Sequence, residues 1–228
     1  MARQERAIRT RQKILVAAAE VFDEVGYEAT TISEILKRSE VTKGALYFHF
    51  TSKEELAQRI LAEQIHAIPP VPPQDLALQE AVDEALLLTY LLRSGDARVR
   101  GSIRLTVDQG SPQDGLDRSV PMQGWINRSV ELFEKAKANG ELLPDVDVVS
   151  LAKLFVGCFT GVQVLSNIMT RHEDMLDRVS ELYRHLMATV AVPGVLVRME
   201  FAPGRAQRVY EAAMAQSRRT PGEVDELV

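Results

Sequence analysis

The stretch from Val41 to Phe50, Val-Thr-Lys-Gly-Ala-Leu-Tyr-Phe-His-Phe, constrains this chain more than any other. Two short amphipathic segments precede it, and Thr42 is placed to cap a helix of about two turns. At roughly 100° per residue, Lys43, Gly44, Tyr47 and Phe48 fall on one side and Ala45, Leu46 and His49 on the other. A cation, a missing side chain, a phenol and an apolar ring make a poor buried face. They suit close approach to a phosphate backbone, with base edges and thymine methyls beyond it.

The flanking residues extend this pattern. Residues 10–25 carry Ile14, Leu15, Ala18, Val21 and Phe22 at helical core spacing, and Gly26 before apolar Tyr27 marks the stop. Thr31 and Glu34 form a capping box that opens a second helix through Ile32, Ile35 and Leu36. Ser39 to Val41 make the turn. Ser52 and Glu55 form another capping box, and the helix from Lys53 runs to about His66. Helix, short helix, tight turn, short helix predicts helix-turn-helix architecture.

Pro69-Pro70-Val71-Pro72-Pro73 then breaks the chain as a stiff, extended spacer. Residues 1–66 are therefore expected to form one domain and 67–217 a second. Helical periodicity recurs near 74–93, 96–109, 121–139, 147–170, 173–190 and 204–217, with a loop at Gly110–Gly115. Residues 218–228 are polar and expected to be disordered. No strand-like alternation of any length occurs, so the fold class is all-α.

The net charge is −5, yet residues 1–13 carry Arg3, Arg6, Arg9, Arg11 and Lys13 against Glu5 alone. Lys37, Arg38, Lys43 and Lys53 oppose only Glu40 across residues 37–53. A basic end on an acidic body is the footprint of a protein that docks by that end on nucleic acid. No stretch reaches the ~18 uncharged apolar residues of a membrane span, and the Arg-rich start lacks a signal-peptide core. A cytoplasmic protein without membrane association is expected. The single cysteine, Cys158, excludes an internal disulfide framework. His172 and His185 would lie some 20 Å apart along one helix at ~1.5 Å per residue, so they share no metal. Hydrolase, Walker and dinucleotide motifs are missing, so neither an enzyme nor a cofactor is expected.

Residues 1–66 resemble the DNA-binding domain of TetR-type transcriptional repressors, and Thr42 to Phe50 matches that family's recognition-helix signature. The first twelve residues, Met-Ala-Arg-Gln-Glu-Arg-Ala-Ile-Arg-Thr-Arg-Gln, resemble the γ-butyrolactone autoregulator receptors of actinomycetes. So do Gly140-Glu141-Leu142-Leu143-Pro144 and Val156 to Val164, and the similarity continues to about Val195. The resemblance implies a homodimer on double-stranded, pseudo-palindromic operator DNA. A small γ-butyrolactone or butenolide would release it and so control secondary metabolism. The dimer would form through 147–170 and 173–190 as a four-helix bundle. Two other readings stay open: a regulator that answers to an antibiotic or biosynthetic intermediate, and a dimeric DNA-binding protein with no small-molecule ligand.

By this resemblance Lys43 contacts bases, while Thr42, Tyr47 and Lys53 turn toward phosphates. The residues themselves add that Gly44 lets the backbone approach, Phe48 could touch a thymine methyl, and Thr31 could cap its helix and touch phosphate at once. His49 either packs inward or contacts phosphate. In the second domain the resemblance places Trp125 over the lactone ring, although a lone tryptophan in a helical domain is commonly core. Thr160 could anchor a carbonyl or bond its own backbone one turn back. Gln64 could meet a polar ligand group or face solvent. Leu87, Val156 and Val164 are candidates to complete the pocket, which periodicity alone cannot separate from core.

Overall fold

The computed structural model describes residues 2–108 and 114–219. Among them the chain forms α1 (Ala2–Ala29), α2 (Ile32–Ser39), α3 (Lys43–His49), α4 (Lys53–Ala62), α5 (Ala77–Ser94) and α6 (Ala97–Val107). These are followed by α7 (Ser119–Ala138), α8 (Val148–Thr170), α9 (Met175–Val190), α10 (Pro193–Leu196) and α11 (Gly204–Arg219). Extended pairing among these residues is confined to one bridge, Leu142 with Ala191. The fold is all-α.

Two compact units emerge: Met1–Ala67 with Gly95–Met122, and Ile68–Ser94 with Gln123–Val228. The expected break at residue 66 recurs at Ala67, but 67–217 is not one unit as expected, because α6 and the start of α7 join the helix-turn-helix. The reason lies at Gly101. A Cβ there would sit 2.1 Å from the Ala19 carbonyl oxygen, so its bare backbone lets α6 lie directly on α1. Arg100 pairs with Asp23 at 3.1 Å, and Arg104 donates to the Asp23 carbonyl.

The core of the first unit is Ile14, Ala18 and Phe22 of α1, with Ile35, Leu46, Leu56 and Leu61 from the next three helices and Leu105 from α6. Each fully buried aliphatic or aromatic side chain contributes ~1.5–3 kcal/mol. The α1 helix breaks where expected, at Gly26 (φ 79°), a value that disfavours any side chain. The Thr31–Glu34 capping box is formed. At α4 the expected box is only half made. Ser52 Oγ accepts from Glu55 N, but the Glu55 carboxylate turns to the N–H and hydroxyl of Thr51.

Helix α4 stops at Ala62 rather than near His66. Beyond it Gln64 N bonds to Leu61 O in a tighter turn, and the Gln64 side chain swings inward. Helix α11 runs to Arg219, so the expected tail does not begin at 218, and its remainder from 220 lies outside the described residues. So does most of the Gly110–Gly115 loop. By length and composition α8 could cross a bilayer, which the sequence reading did not anticipate. One of its faces, with Leu151, Ala152, Phe155 and Phe159, nevertheless belongs to the protein core.

In the second unit α5 is buried almost all round and packs against α9 and α11. Its first turn is capped from far along the chain: the buried Glu141 carboxylate accepts from Ala77 N and Leu78 N at 3.0 and 2.9 Å. Gly140 takes φ 70°, reversing the chain so that Glu141 can reach that helix end. Phe155 stands edge-on to Phe133 at 5.3 Å and stacks on Tyr183 at 4.2 Å, joining α7, α8 and α9.

Candidate nucleic-acid interface

Helix α3 is short, and both its ends are fixed locally. Thr42 Oγ1 accepts from Ala45 N at 3.2 Å, and Leu46, fully buried, anchors the inner face. The outer face is Lys43, Gly44, Tyr47 and Phe48, all exposed, as the helical spacing predicts. Phe48 is 79 % exposed, an unusual position for a large apolar ring. Lys43 Nζ lies 5.9 Å from the Tyr47 ring centre. A Cβ added at Gly44 would meet nothing within 4 Å. The protein's own packing therefore does not ask for glycine there, although glycine costs a helix ~1 kcal/mol relative to alanine.

Other expected contacts sit differently. Lys53 does not point outward: its Nζ donates to Tyr27 O at 2.8 Å and Thr30 O at 3.0 Å, 4.3 Å from the Tyr27 ring centre. Without DNA the ammonium closes the carbonyl end of α1, an arrangement that competes with the expected phosphate contact. Thr31 is committed to its own cap, donating to Glu34 Oε2 at 2.8 Å while accepting from Glu34 N. His49 is half-buried between Phe48 and Phe50. Burial first, then the charge of Arg11, lowers its pKa below the ordinary imidazole value, which favours the neutral ring. Arg38 forks onto Glu24 with two 2.7 Å bonds, bracing α2 on α1. Arg6, Arg9, Lys13, Lys37 and Lys43 remain exposed, so cations from both basic segments reach the surface of a unit whose formal charges balance overall.

A capped short helix with an exposed, partly bare face matches known DNA-binding regulators. Residues 14–60 match the bacterial regulatory proteins, tetR family. The chain is 37 % identical over 203 residues to the A-factor receptor protein of Streptomyces griseus, covering 88 % of this chain and 70 % of that protein. It belongs to the TetR family.

The chain is thus a ligand-responsive transcriptional repressor of the TetR kind. The similarity spans both units. Full-length native TylP, a TetR regulator from Streptomyces fradiae, shares 60 % identity with a TM-score of 0.87, covering 92 % of this chain and 99 % of that one. A γ-butyrolactone receptor (ArpA-like protein) shares 26 % identity with a TM-score of 0.62, covering 94 % and 99 %.

The residues expected to hold an effector divide between the units. Trp125 on α7 and Val156, Thr160 and Val164 on α8 are partly buried, and Leu87 on α5 is fully buried. The three α8 residues repeat every four positions and so share one face. Thr160 Oγ1 donates to Val156 O at 2.9 Å, the backbone alternative. Gln64 belongs to the first unit; it is 2 % exposed and donates to Thr106 Oγ1 at 3.1 Å, which excludes the solvent-facing alternative. The sequence reading missed Glu141 as the cap of α5, although it sits in a motif singled out for its resemblance.

Proposed function

We propose that this TetR-family chain is a cytoplasmic homodimer that binds a pseudo-palindromic operator through α3. A small γ-butyrolactone or butenolide then releases it, placing secondary metabolism under its control. Gly44 carries the DNA half of this reading, because its missing side chain answers to nothing inside the protein and leaves the α3 backbone open to a phosphate or base edge. A dimer would set two such helices one helical turn apart, ~34–36 Å.

Helix α8 supports the dimer. Leu154, Leu165 and Ile168 are 51, 55 and 71 % exposed and fall on one face with Gly157 and Gly161, whose added Cβ atoms would meet nothing within 4 Å. An apolar face with bare glycines fits close approach of the same helix from a second copy. For the effector, α7 and α8 meet through Phe133 and Phe155 and carry an indole and a hydroxyl. Such a lining suits a mostly apolar molecule with a few oxygens, and the likeness to the A-factor receptor favours a lactone.

The test is a mobility-shift titration on a duplex selected by the protein from a random pool. Release by a 2-acyl-γ-butyrolactone or a butenolide is expected, and Trp125→Ala should stay bound at effector levels that free the parent. Release by antibiotics alone would move the effector class to antibiotics. No release by any compound would leave a DNA-binding dimer without an effector.

A further inference from the structure

The residues that enter α7 are fastened to the helix-turn-helix at two points. Gln58, half-buried on α4, pairs its side-chain amide with the Asp117 backbone in both directions. Its Oε1 accepts from Asp117 N at 2.8 Å, and its Nε2 donates to Asp117 O at 3.3 Å. The Asp117 carboxylate accepts from Ser119 N at 2.9 Å and from Ser119 Oγ at 2.5 Å, which starts α7. On one side Leu116 packs against the helix-turn-helix core. On the other, Arg118 forks onto Asp114 at 3.1 and 2.6 Å and donates to Leu105 O, near the end of α6, at 2.9 Å.

A two-point amide bond fixes orientation as well as distance. It joins the helix that directly follows α3 to the residues that lead into the helix that carries Trp125. We propose that Gln58 is the positioning residue through which a displacement of α7 reaches α4 and the recognition helix. The proposal rests on the reading that an effector held by the second unit releases DNA. Gln58 touches neither molecule; it sets how strongly one is felt by the other.

Gln58→Ala removes both bonds while leaving the buried core intact. Its affinity for the selected duplex should stay within about two- to threefold of the parent, as for a surface side chain. Coupling is reciprocal, so if α7 biases DNA binding, DNA binding must bias α7. In the parent the duplex should slow hydrogen exchange across Asp117–Val120; in Gln58→Ala that protection should vanish. In a titration with a 2-acyl-γ-butyrolactone, the variant should need at least about fivefold more compound for release. Asp117→Asn, which keeps the backbone pair and a capping side chain, should follow the parent in both measurements. Retained protection in Gln58→Ala, or an unchanged release midpoint, overturns the proposal. Should the lactone fail to release even the parent, the effector reading fails, and the exchange measurement still decides on Gln58 because it needs no lactone.

Discussion

In the first unit, the N-termini of α2, α3 and α4 are capped by residues close in sequence. Thr31 bonds Glu34, Thr42 caps onto Ala45 N, and Ser52 onto Glu55 N. In the second, the first turn of α5 is held by Glu141, 64 residues further on, and its buried Asp83 is answered by Arg205 across 122 residues. The N-terminal caps of the first unit and these pairings of the second thus act at very different range. The first can therefore keep each short helix intact while exposing a face to DNA. The second depends on pairings that exist only once its helices have assembled.

The largest effect should come from breaking such a distant pairing. Asp83 is fully buried and meets Arg205 Nε and Nη2 at 2.5 and 2.7 Å, with Gln79 as its other side-chain partner. Arg205→Ala leaves a buried carboxylate largely uncompensated and should cost ~3–5 kcal/mol, lowering Tm by roughly 10 °C for a chain of this size. The double change Asp83→Leu with Arg205→Met should cost less, since no charge is stranded. Thr42→Ala, a local cap, should cost only ~1 kcal/mol. Thermal unfolding of the four proteins decides; equal losses for Arg205→Ala and Thr42→Ala would break the contrast.

Two glycines of the first unit separate packing from recognition. Gly101→Ala drives a Cβ to 2.1 Å from the Ala19 carbonyl oxygen and must push α6 off α1, for ~2–3 kcal/mol or more. Gly44→Ala meets open space and should leave stability unchanged or raise it by up to ~1 kcal/mol, while operator affinity falls by about tenfold or more, for ~1.4 kcal/mol of lost contact. Loss of stability in Gly44→Ala, or unchanged operator affinity, would remove the argument that DNA is what that glycine accommodates.

A smaller effect is expected at Lys53. Lys53→Met loses hydrogen bonds from a charged donor to Tyr27 O and Thr30 O, worth ~1.5–3 kcal/mol before the gain from desolvating no ammonium. A phosphate ligand would also flatten the salt dependence of DNA binding by about one unit. The observed geometry predicts lower Tm with an unchanged slope, and a flattened slope would return Lys53 to the phosphates.

How much was legible in the sequence follows the same division. The caps at Thr31 and Thr42, the break at Gly26 and the exposed face of α3 were readable because each depends on residues within one turn. The carbonyl partners of Lys53 were not, because they lie at the end of another helix, and carbonyls leave no trace in side-chain identity. Gly101 gave no warning either: periodicity shows that α6 is amphipathic but not which helix it covers, so its return to the first unit was not visible. Glu141 was noticed only through resemblance, since a carboxylate that caps a distant helix looks like any turn residue. For Trp125 and Thr160 the sequence offered a role and an ordinary alternative, and for Thr160 the structure shows the backbone bond.

The corner between α8 and α9 offers the finest test, because it places a local polar cluster inside the long-range unit. Asp174 accepts from Ser166 Oγ at 2.6 Å, Thr170 Oγ1 at 2.7 Å and Arg178 Nε at 2.5 Å, partners spaced four or eight residues away. Bonds from Ser166, then Arg178 and Thr170, hold its pKa down to about 2. The cluster closes a turn in which Arg171 and His172 both take positive φ, 54° and 70°. The folded pKa lies below the ~3.9 of an unfolded aspartate, so its stabilisation is complete above that value and fades as pH falls toward 2. The stability difference between parent and Asp174→Asn should then be level from pH 5 to 7 and shrink below about pH 4. Glu24, Glu34, Glu55 and Asp114 are also held low by hydrogen bonds, but they titrate in both proteins and cancel in the difference. Denaturant unfolding across that range would show it. A difference that persists undiminished at pH 3 would mean that the corner is held by its backbone turn and not by the carboxylate.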